Sequence, residues 1–255
     1  MATPSAAQRN HVADVRTFDA PDELTKAAAD LVLEAARDAV RERTRFTWAL
    51  SGGSTPAMLY RMLAEEPYAA RVPWDRTHVF WGDERWVPPS HADNNARMAR
   101  EALLTRVPIP EAQMRPIPTV GIDPAGAASA AERQVRKLLG PELRPDLVLL
   151  GLGDDGHTAS LFPGTTALGE RTLLFAANHV PRLDTWRITA TLTLLNAARH
   201  IVFLVVGSSK AGAVRQVLHP GAETTVLPAS MVRPADGKLT WLLDRQAASL
   251  LPHAG

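Results

Sequence analysis

His157 and Asp155 stand two residues apart in the run Gly151-Leu-Gly-Asp-Asp-Gly-His157, a pairing suited to proton transfer. An imidazole titrates near neutrality, and a neighbouring carboxylate orients it and stabilises its charged form. His157 is therefore a candidate general base and Asp155 its partner. Glycines at 151, 153 and 156 let the backbone turn sharply and approach a ligand closely. The run Leu147 to Leu150 that feeds them has the unbroken apolar character of a strand buried on both faces. A histidine that merely hydrogen-bonds a turn is the dull alternative. The buried strand, the three glycines and the two acids around it favour catalysis.

Two further segments repeat the order strand, small-residue turn, helix. Phe46 to Leu50 reads as a strand, Ser51-Gly-Gly-Ser-Thr-Pro56 as a turn, and Met58, Leu59, Met62 and Leu63 as the apolar face of a helix. Such a turn points backbone N–H groups and a helix N-terminus at an anion. Gly52, Gly53, Ser54 and Thr55 are thus candidate phosphate ligands, with hydroxyls at 51, 54 and 55 as extra donors. A plain helix cap by Ser or Thr fits the same residues equally well. His200 to Val206 is the second strand, leading through Gly207-Ser-Ser-Lys210 into a helix over 211–218, with a lysine at the turn. His78 to Trp81 is a third strand, ending in Gly82-Asp-Glu-Arg85. Charges just past the C-terminal end of a strand mark where an open α/β sheet binds its ligand. Arg85 can fork onto a phosphate or carboxylate; the alternative is a surface ion pair among Asp83, Glu84 and Arg85.

The rest of the chain supplies elements to hold these turns. Residues 1–10 read as a disordered tail, and His11 to Phe18 as an edge strand. Pro21 to Arg43, Asn94 to Leu104 and Pro124 to Leu139 read as helices, and 107–124, with five prolines, as a long connection around one short strand. Strands are expected over Thr172 to Ala177 and Arg187 to Leu192, separated by an irregular segment, His179 to Trp186, that carries Arg182. One or two helical turns follow at Leu194 to Ala198. Pro228 to Val232 and Leu239 to Leu243 pack late in the chain, and a short helix covers Gln246 to Leu251. Strand and helix signals alternate throughout, which predicts an α/β fold, a mostly parallel, doubly wound, Rossmann-like sheet with helices on both faces, in one domain over 11–255.

Composition narrows the function. The 255 residues carry a net formal charge of +1, which leaves no electrostatic footprint for nucleic acid or a membrane surface. The absence of cysteine removes disulfides, thiolate metal sites and cysteine nucleophiles. No signal peptide or membrane-spanning run is visible, so a cytoplasmic location is expected. Gly151 to Gly156 formally matches the dinucleotide fingerprint, but the following residues reach a proline and a glycine within eight positions, too soon for the required helix. The other histidines lack metal-like spacing, and no G-x-S-x-G elbow appears. Neither metal nor cofactor is expected.

Taken together, Ser51 to Pro56, Trp81 to Pro88 followed by Asn94-Asn95, Gly151 to Gly164, Arg187-Ile-Thr189 with Leu194 to Ala198, Gly207 to Ala211 and the closing Pro228 to Asp244 resemble the 6-phosphogluconolactonase family. The resemblance spans roughly Phe46 to Leu251. It implies a fold like that of glucosamine-6-phosphate deaminase and ribose-5-phosphate isomerase. The deaminases share the Asp-Gly-His but place a glutamate five residues after the histidine, where this chain has Phe162; they also tend to follow Asp-Glu with tyrosine, where this chain has Arg85. Both differences point to the lactonases. Lactonases usually show Lys-Pro-Pro-Pro before the Arg-Ile-Thr strand, and here Arg182 stands in for the lysine without the stiff prolines.

The resemblance implies hydrolysis of 6-phospho-D-glucono-1,5-lactone to 6-phospho-D-gluconate, with His157 as base, Asp155 behind it, and Arg85, Arg182 and Lys210 joining the Ser51–Pro56 turn on the phosphate. The expected partner is this small sugar-phosphate lactone, on a monomer or weak homodimer. An amino-sugar-phosphate deaminase and a catalytically silent sugar-phosphate sensor are the alternatives.

Overall fold

Strands that are apolar on both faces must be covered on both sides, and the middle of the central sheet consists of such strands. A computed structural model describes residues 13–221 and 226–252. Seven parallel strands lie in the order β1 (Asp14–Phe18), β10 (Lys238–Asp244), β9 (His200–Val205), β6 (Leu147–Leu150), β2 (Phe46–Leu50), β3 (Thr77–Trp81) and β5 (Met114–Arg115). A second, antiparallel sheet joins β4 (Asp83–Arg85), β8 (Thr185–Ala190) and β7 (Phe175–Val180). The helices are α1 (Pro21–Arg43), α2 (Ser54–Leu63), α3 (Tyr68–Arg71), α4 (Asn95–Ala99), α5 (Pro124–Leu139), α6 (Leu192–Leu195) and α7 (Ala211–Leu218). Among the described residues no helix is long and apolar enough to cross a membrane.

Every residue of β2 and β6 is buried. Trp48, Trp81 and Trp241 are also buried in full, and the rings of Phe203 and Trp241 stack at 3.8 Å. Each large apolar side chain so removed from water contributes about 1.5–3 kcal/mol. The register between β2 and β6 has its own lock. The buried Asp146 carboxylate accepts from the N–H of Thr47 at 2.8 Å, from its hydroxyl at 2.7 Å and from Arg43 Nε at 2.8 Å. It thereby ties the start of β6 to β2 and to the end of α1.

That lock matters because the winding reverses between β2 and β6. The chain leaves β2 towards β3 on one side and leaves β6 towards β9 and β10 on the other. The C-terminal ends of two such strands leave a crevice between their loops, the usual ligand position in open α/β sheets.

Most expected elements are present, with informative differences. The edge strand is β1; residues 11–12 and the tail 1–10 lie outside the described residues. Asn94 caps α4 by accepting from Arg97 N, and the expected helix continues as a π-helical turn, Arg100–Leu104. The strand expected at Thr172 begins at Phe175 instead, because the Glu170 carboxylate accepts from the N–H groups of Arg171, Thr172 and Leu173 and closes a turn there. The segment expected to be irregular, 179–186, is a tight hairpin turning at Pro181–Leu183. The closing helix at 246–251 is a series of turns. Asp244 takes the N–H groups of Ala247 and Gly207 on its side chain, and Ser249 and Leu251 bond back three residues rather than four. The small antiparallel sheet was not anticipated.

One buried histidine gives the fold a measurable pH dependence. His200 Nε2 lies 2.9 Å from Thr240 Oγ1 between β9 and β10, and burial, aided by Lys238 and Arg16, pushes its pKa down to about 4. The unfolded chain takes up this proton near pH 6.5 and the folded chain only near 4. The site's contribution to stability is thus complete above 6.5 and lost as pH falls towards 4. Between about pH 7 and about pH 4.5, the urea midpoint of the wild type should fall further than that of a His200→Asn variant. Equal falls would remove His200 from the account.

Candidate active site

The turn after β6 folds around its own glycines. Gly153 N–H donates to His157 O at 2.8 Å and Gly156 N–H to Gly153 O at 2.9 Å, so the loop doubles back and presents the imidazole. Ala229 N–H, from the late segment, donates to Gly156 O at 3.0 Å and braces the turn from outside. A Cβ on Gly153 would fall inside His157 Nδ1 and Cε1 and 2.6 Å from Asp155 Oδ1, so only glycine fits under the ring.

His157 Nδ1 lies 2.5 Å from Asp155 Oδ1. With Nδ1–H donated to the carboxylate, Nε2 is the nitrogen left for the cleft. Burial works to raise the Asp155 pKa, but the imidazole's hydrogen bond and charge, the His157 N–H and Arg182 outweigh it and hold the carboxyl below its ordinary range. Phe162 stacks on the imidazole, ring centres 4.1 Å apart, and is itself buried. Phe162, five residues after His157, is therefore an aromatic wall against the imidazole.

Facing His157 across a cleft of about 250 Å³ is the turn after β2. The buried Tyr60 hydroxyl fixes its first residue, accepting from Ser51 N–H at 3.0 Å and donating to Ser51 O at 2.9 Å. Gly53, at φ 102°, is the N-cap of α2, and no side chain caps the helix. The plain Ser/Thr cap is thus absent, and the first turn of α2 opens on the cleft, as an anion site requires. Lys210, from the turn after β9, also lines the cleft and donates to Asp154 Oδ1 at 2.5 Å.

The three charges after β3 do not pair with one another; each has a separate task. Asp83 Oδ2 accepts from Ser160 Oγ at 2.6 Å. Glu84 is fully buried and accepts from the N–H groups of Arg85, Asn95 and Ala96 at 2.9, 2.7 and 2.9 Å, anchoring the start of α4. Burial pushes its carboxyl up to about 7 against these donors. Arg85 lines the cleft, with Nη1 donating to Asp93 O at 2.8 Å.

The cleft therefore brings together His157, Gly52, Gly53, Ser54, Thr55, Arg85 and Lys210, with Asp155 directly behind the imidazole. Arg182 is placed otherwise. It does not line the cleft: its Nη2 lies 2.5 Å from Asp155 Oδ2 as a charge contact not aligned as a hydrogen bond, and its guanidinium sits 5.1 Å from the Phe162 ring centre. The hairpin at 181–183 carries it to the Asp155 carboxylate rather than to the turn after β2. Asn95, which donates to Asp83 O at 3.0 Å and lines the cleft, had no role in the sequence reading beyond its motif; nor had Arg187, which stands opposite Arg85. Among the described residues no group of three or more His, Cys, Asp or Glu side chains is arranged to hold a metal ion.

Comparison with known proteins places this geometry in a family. Residues 19–241 match the model described as glucosamine-6-phosphate isomerases/6-phosphogluconolactonase. The chain is 42% identical over 239 residues to the 6-phosphogluconolactonase of a Nostoc species, covering 91% of this chain and 96% of that one. It is 46% identical to the Synechocystis 6-phosphogluconolactonase, covering 84% and 88%. Among solved structures, 6-phosphogluconolactonase from Trypanosoma cruzi superposes with a TM-score of 0.84 at 31% identity, covering 96% of this chain and 99% of that one.

Proposed function

The chain belongs to the glucosamine-6-phosphate isomerase/6-phosphogluconolactonase family, and we propose that it hydrolyses 6-phospho-D-glucono-1,5-lactone to 6-phospho-D-gluconate with His157 as the general base. The observation that carries the mechanism is the His157–Asp155 pair, set across a narrow cleft from an uncapped helix N-terminus and Arg85. A δ-lactone is already a reactive ester, so water can attack C1 directly once a base takes its proton. His157 Nε2 accepts that proton, and ionised Asp155 stabilises the imidazolium. The tetrahedral intermediate then collapses with cleavage of the bond from C1 to the ring oxygen, and His157 returns the proton to that oxygen. Nothing in this sequence requires a covalent intermediate, metal or cofactor. The reaction belongs to the oxidative pentose phosphate route, and a cytoplasmic location is part of the same proposal.

The negative charge on C1 oxygen needs donors. Gly153 and Gly156 N–H groups are consumed within their own turn, and the first turn of α2 and Arg85 are given to the phosphate, so the second N–H of the Asn95 side-chain amide is the donor assigned to this oxygen. Phosphate binding falls to Gly52, Gly53, Ser54, Thr55, Arg85 and Lys210. Lys210 must exchange Asp154 for the substrate, so it contributes less than a free ammonium would. Arg182 acts through Asp155. Arg85→Ala is expected to raise KM for the phosphorylated lactone about 10- to 100-fold, the loss of one or two charge-assisted hydrogen bonds, with a smaller change in kcat. Steady-state kinetics with unchanged KM would remove Arg85 from substrate binding.

A further inference from the structure

We propose that an arginine-lined cavity at the other end of the central sheet, where β2, β6 and β9 begin, is a second anion site that takes a small phosphate-bearing anion. The inference stands apart from the lactonase reading.

The cleft lies where these three neighbouring parallel strands end. Their starts are one strand length away, about 15 Å for strands of four to six residues. A cavity of about 230 Å³ opens there. Each strand brings arginine to it on the residues just ahead: Arg43 and Arg45 before β2, Arg144 before β6 and Arg199 before β9. Against these four guanidiniums the lining residues carry two carboxylates, Glu142 and Asp146.

Asp146 is already committed, one oxygen to Thr47 and the other to Arg43 Nε. Arg199 Nε comes no closer than 3.6 Å to that second oxygen, and it is buried without a hydrogen-bond partner. The remaining acids sit on the rim: Glu142 pairs with Arg199 Nη2, Glu42 with Arg43 Nη1, and Asp236 lies 3.5 Å from Arg144 Nη1. All three are more than half exposed, so these pairs are weak and exchangeable. Arg45 has neither a carboxylate nor a side-chain hydrogen bond among the described residues. Its charge falls on other cations instead. Burial and then Arg45 hold the Arg115 guanidinium below its ordinary pKa, and burial, Arg115 and Arg45 do the same to the His78 imidazole.

Four like charges thus converge on one cavity with their internal counter-charge spent. A di- or trianion between them would offset the repulsion and give Arg45 and Arg199 Nε an acceptor. Guanidinium forks match phosphate oxygens by parallel N–H donation. The cavity is smaller than the roughly 300 Å³ at which pockets for drug-sized ligands begin, which suits an anion the size of pyrophosphate rather than a nucleotide.

The test titrates pyrophosphate by calorimetry into wild type, Arg45→Met, Arg144→Met and Arg85→Ala, at a fixed ionic strength of about 0.1 M that screens non-specific attraction. Wild type should bind it in the millimolar range or tighter. Arg45→Met and Arg144→Met should each weaken that event about 10-fold, the loss of one charge-assisted hydrogen-bonding group. Arg85→Ala should keep it, because Arg85 lines the cleft at the other end of the strands. No binding by wild type at millimolar pyrophosphate would overturn the inference. So would binding that Arg85→Ala abolishes and Arg45→Met leaves unchanged, which would place the anion in the cleft. Arg45 is exposed, so Arg45→Met should fold as wild type does, and its titration decides even where Arg144→Met does not fold.

Discussion

A His157→Asn enzyme is expected to hydrolyse the phosphorylated lactone about 10²- to 10⁴-fold more slowly than wild type at saturating substrate, with KM little changed. Asparagine keeps a planar polar group near Phe162 but cannot take a proton from water. The anion side of the cleft is built from the turn after β2, from Arg85 and from Lys210, none of which bonds to the imidazole. Binding should therefore survive while the chemical step fails. The split between kcat and KM, read from initial rates corrected for spontaneous hydrolysis, checks this. A kcat within a few-fold of wild type would assign the base elsewhere.

Gly153→Ala should produce a similar defect while leaving the identity of His157 unchanged. The new methyl group would occupy the space of the imidazole edge and press on Asp155 Oδ1. The three atoms nearest the new methyl all belong to these two side chains, and Gly153 does not have the left-handed backbone that would strain an alanine. The protein should fold with nearly the wild-type melting temperature while the ring is displaced. A misplacement on the order of 1 Å costs about 10²-fold in rate. The double variant with His157→Asn should be no slower than His157→Asn alone, since both changes act on one group. Additive losses would show that Gly153 matters for some other reason.

How much of this was legible in the sequence depended on the kind of element. The strands Phe46–Leu50 and Leu147–Leu150 and the helices Pro124–Leu139 and Ala211–Leu218 have strong apolar periodicity or unbroken apolar runs, and they lie where expected. Their small-residue turns converge on the cleft because parallel strands put all their C-terminal ends on one side. The antiparallel sheet was hidden because its first strand, Asp83–Arg85, is three charged residues, which read as a loop, and because β7 carries Asn178 and His179. Arg187 followed from that omission, since only the pairing of β4 with β8 sets it against Arg85. In sequence Glu84 reads equally as part of a surface ion pair; its burial against three N–H groups depends on how α4 packs and leaves no local signal. Arg182 could be aligned with a phosphate-binding lysine, but the hairpin that aims it at Asp155 replaces a proline-rich loop, so sequence position and spatial position part company there.

The most direct test of the central claim supplies wild-type protein with freshly generated 6-phosphogluconolactone and, in parallel, with glucosamine 6-phosphate. It follows 6-phosphogluconate formation above the spontaneous rate in the first and ammonia release in the second. The account predicts rapid lactone hydrolysis and no ammonia, because Phe162 occupies the place where the deaminases carry a glutamate. Lactone loss no faster than the spontaneous rate, or ammonia release, would contradict it.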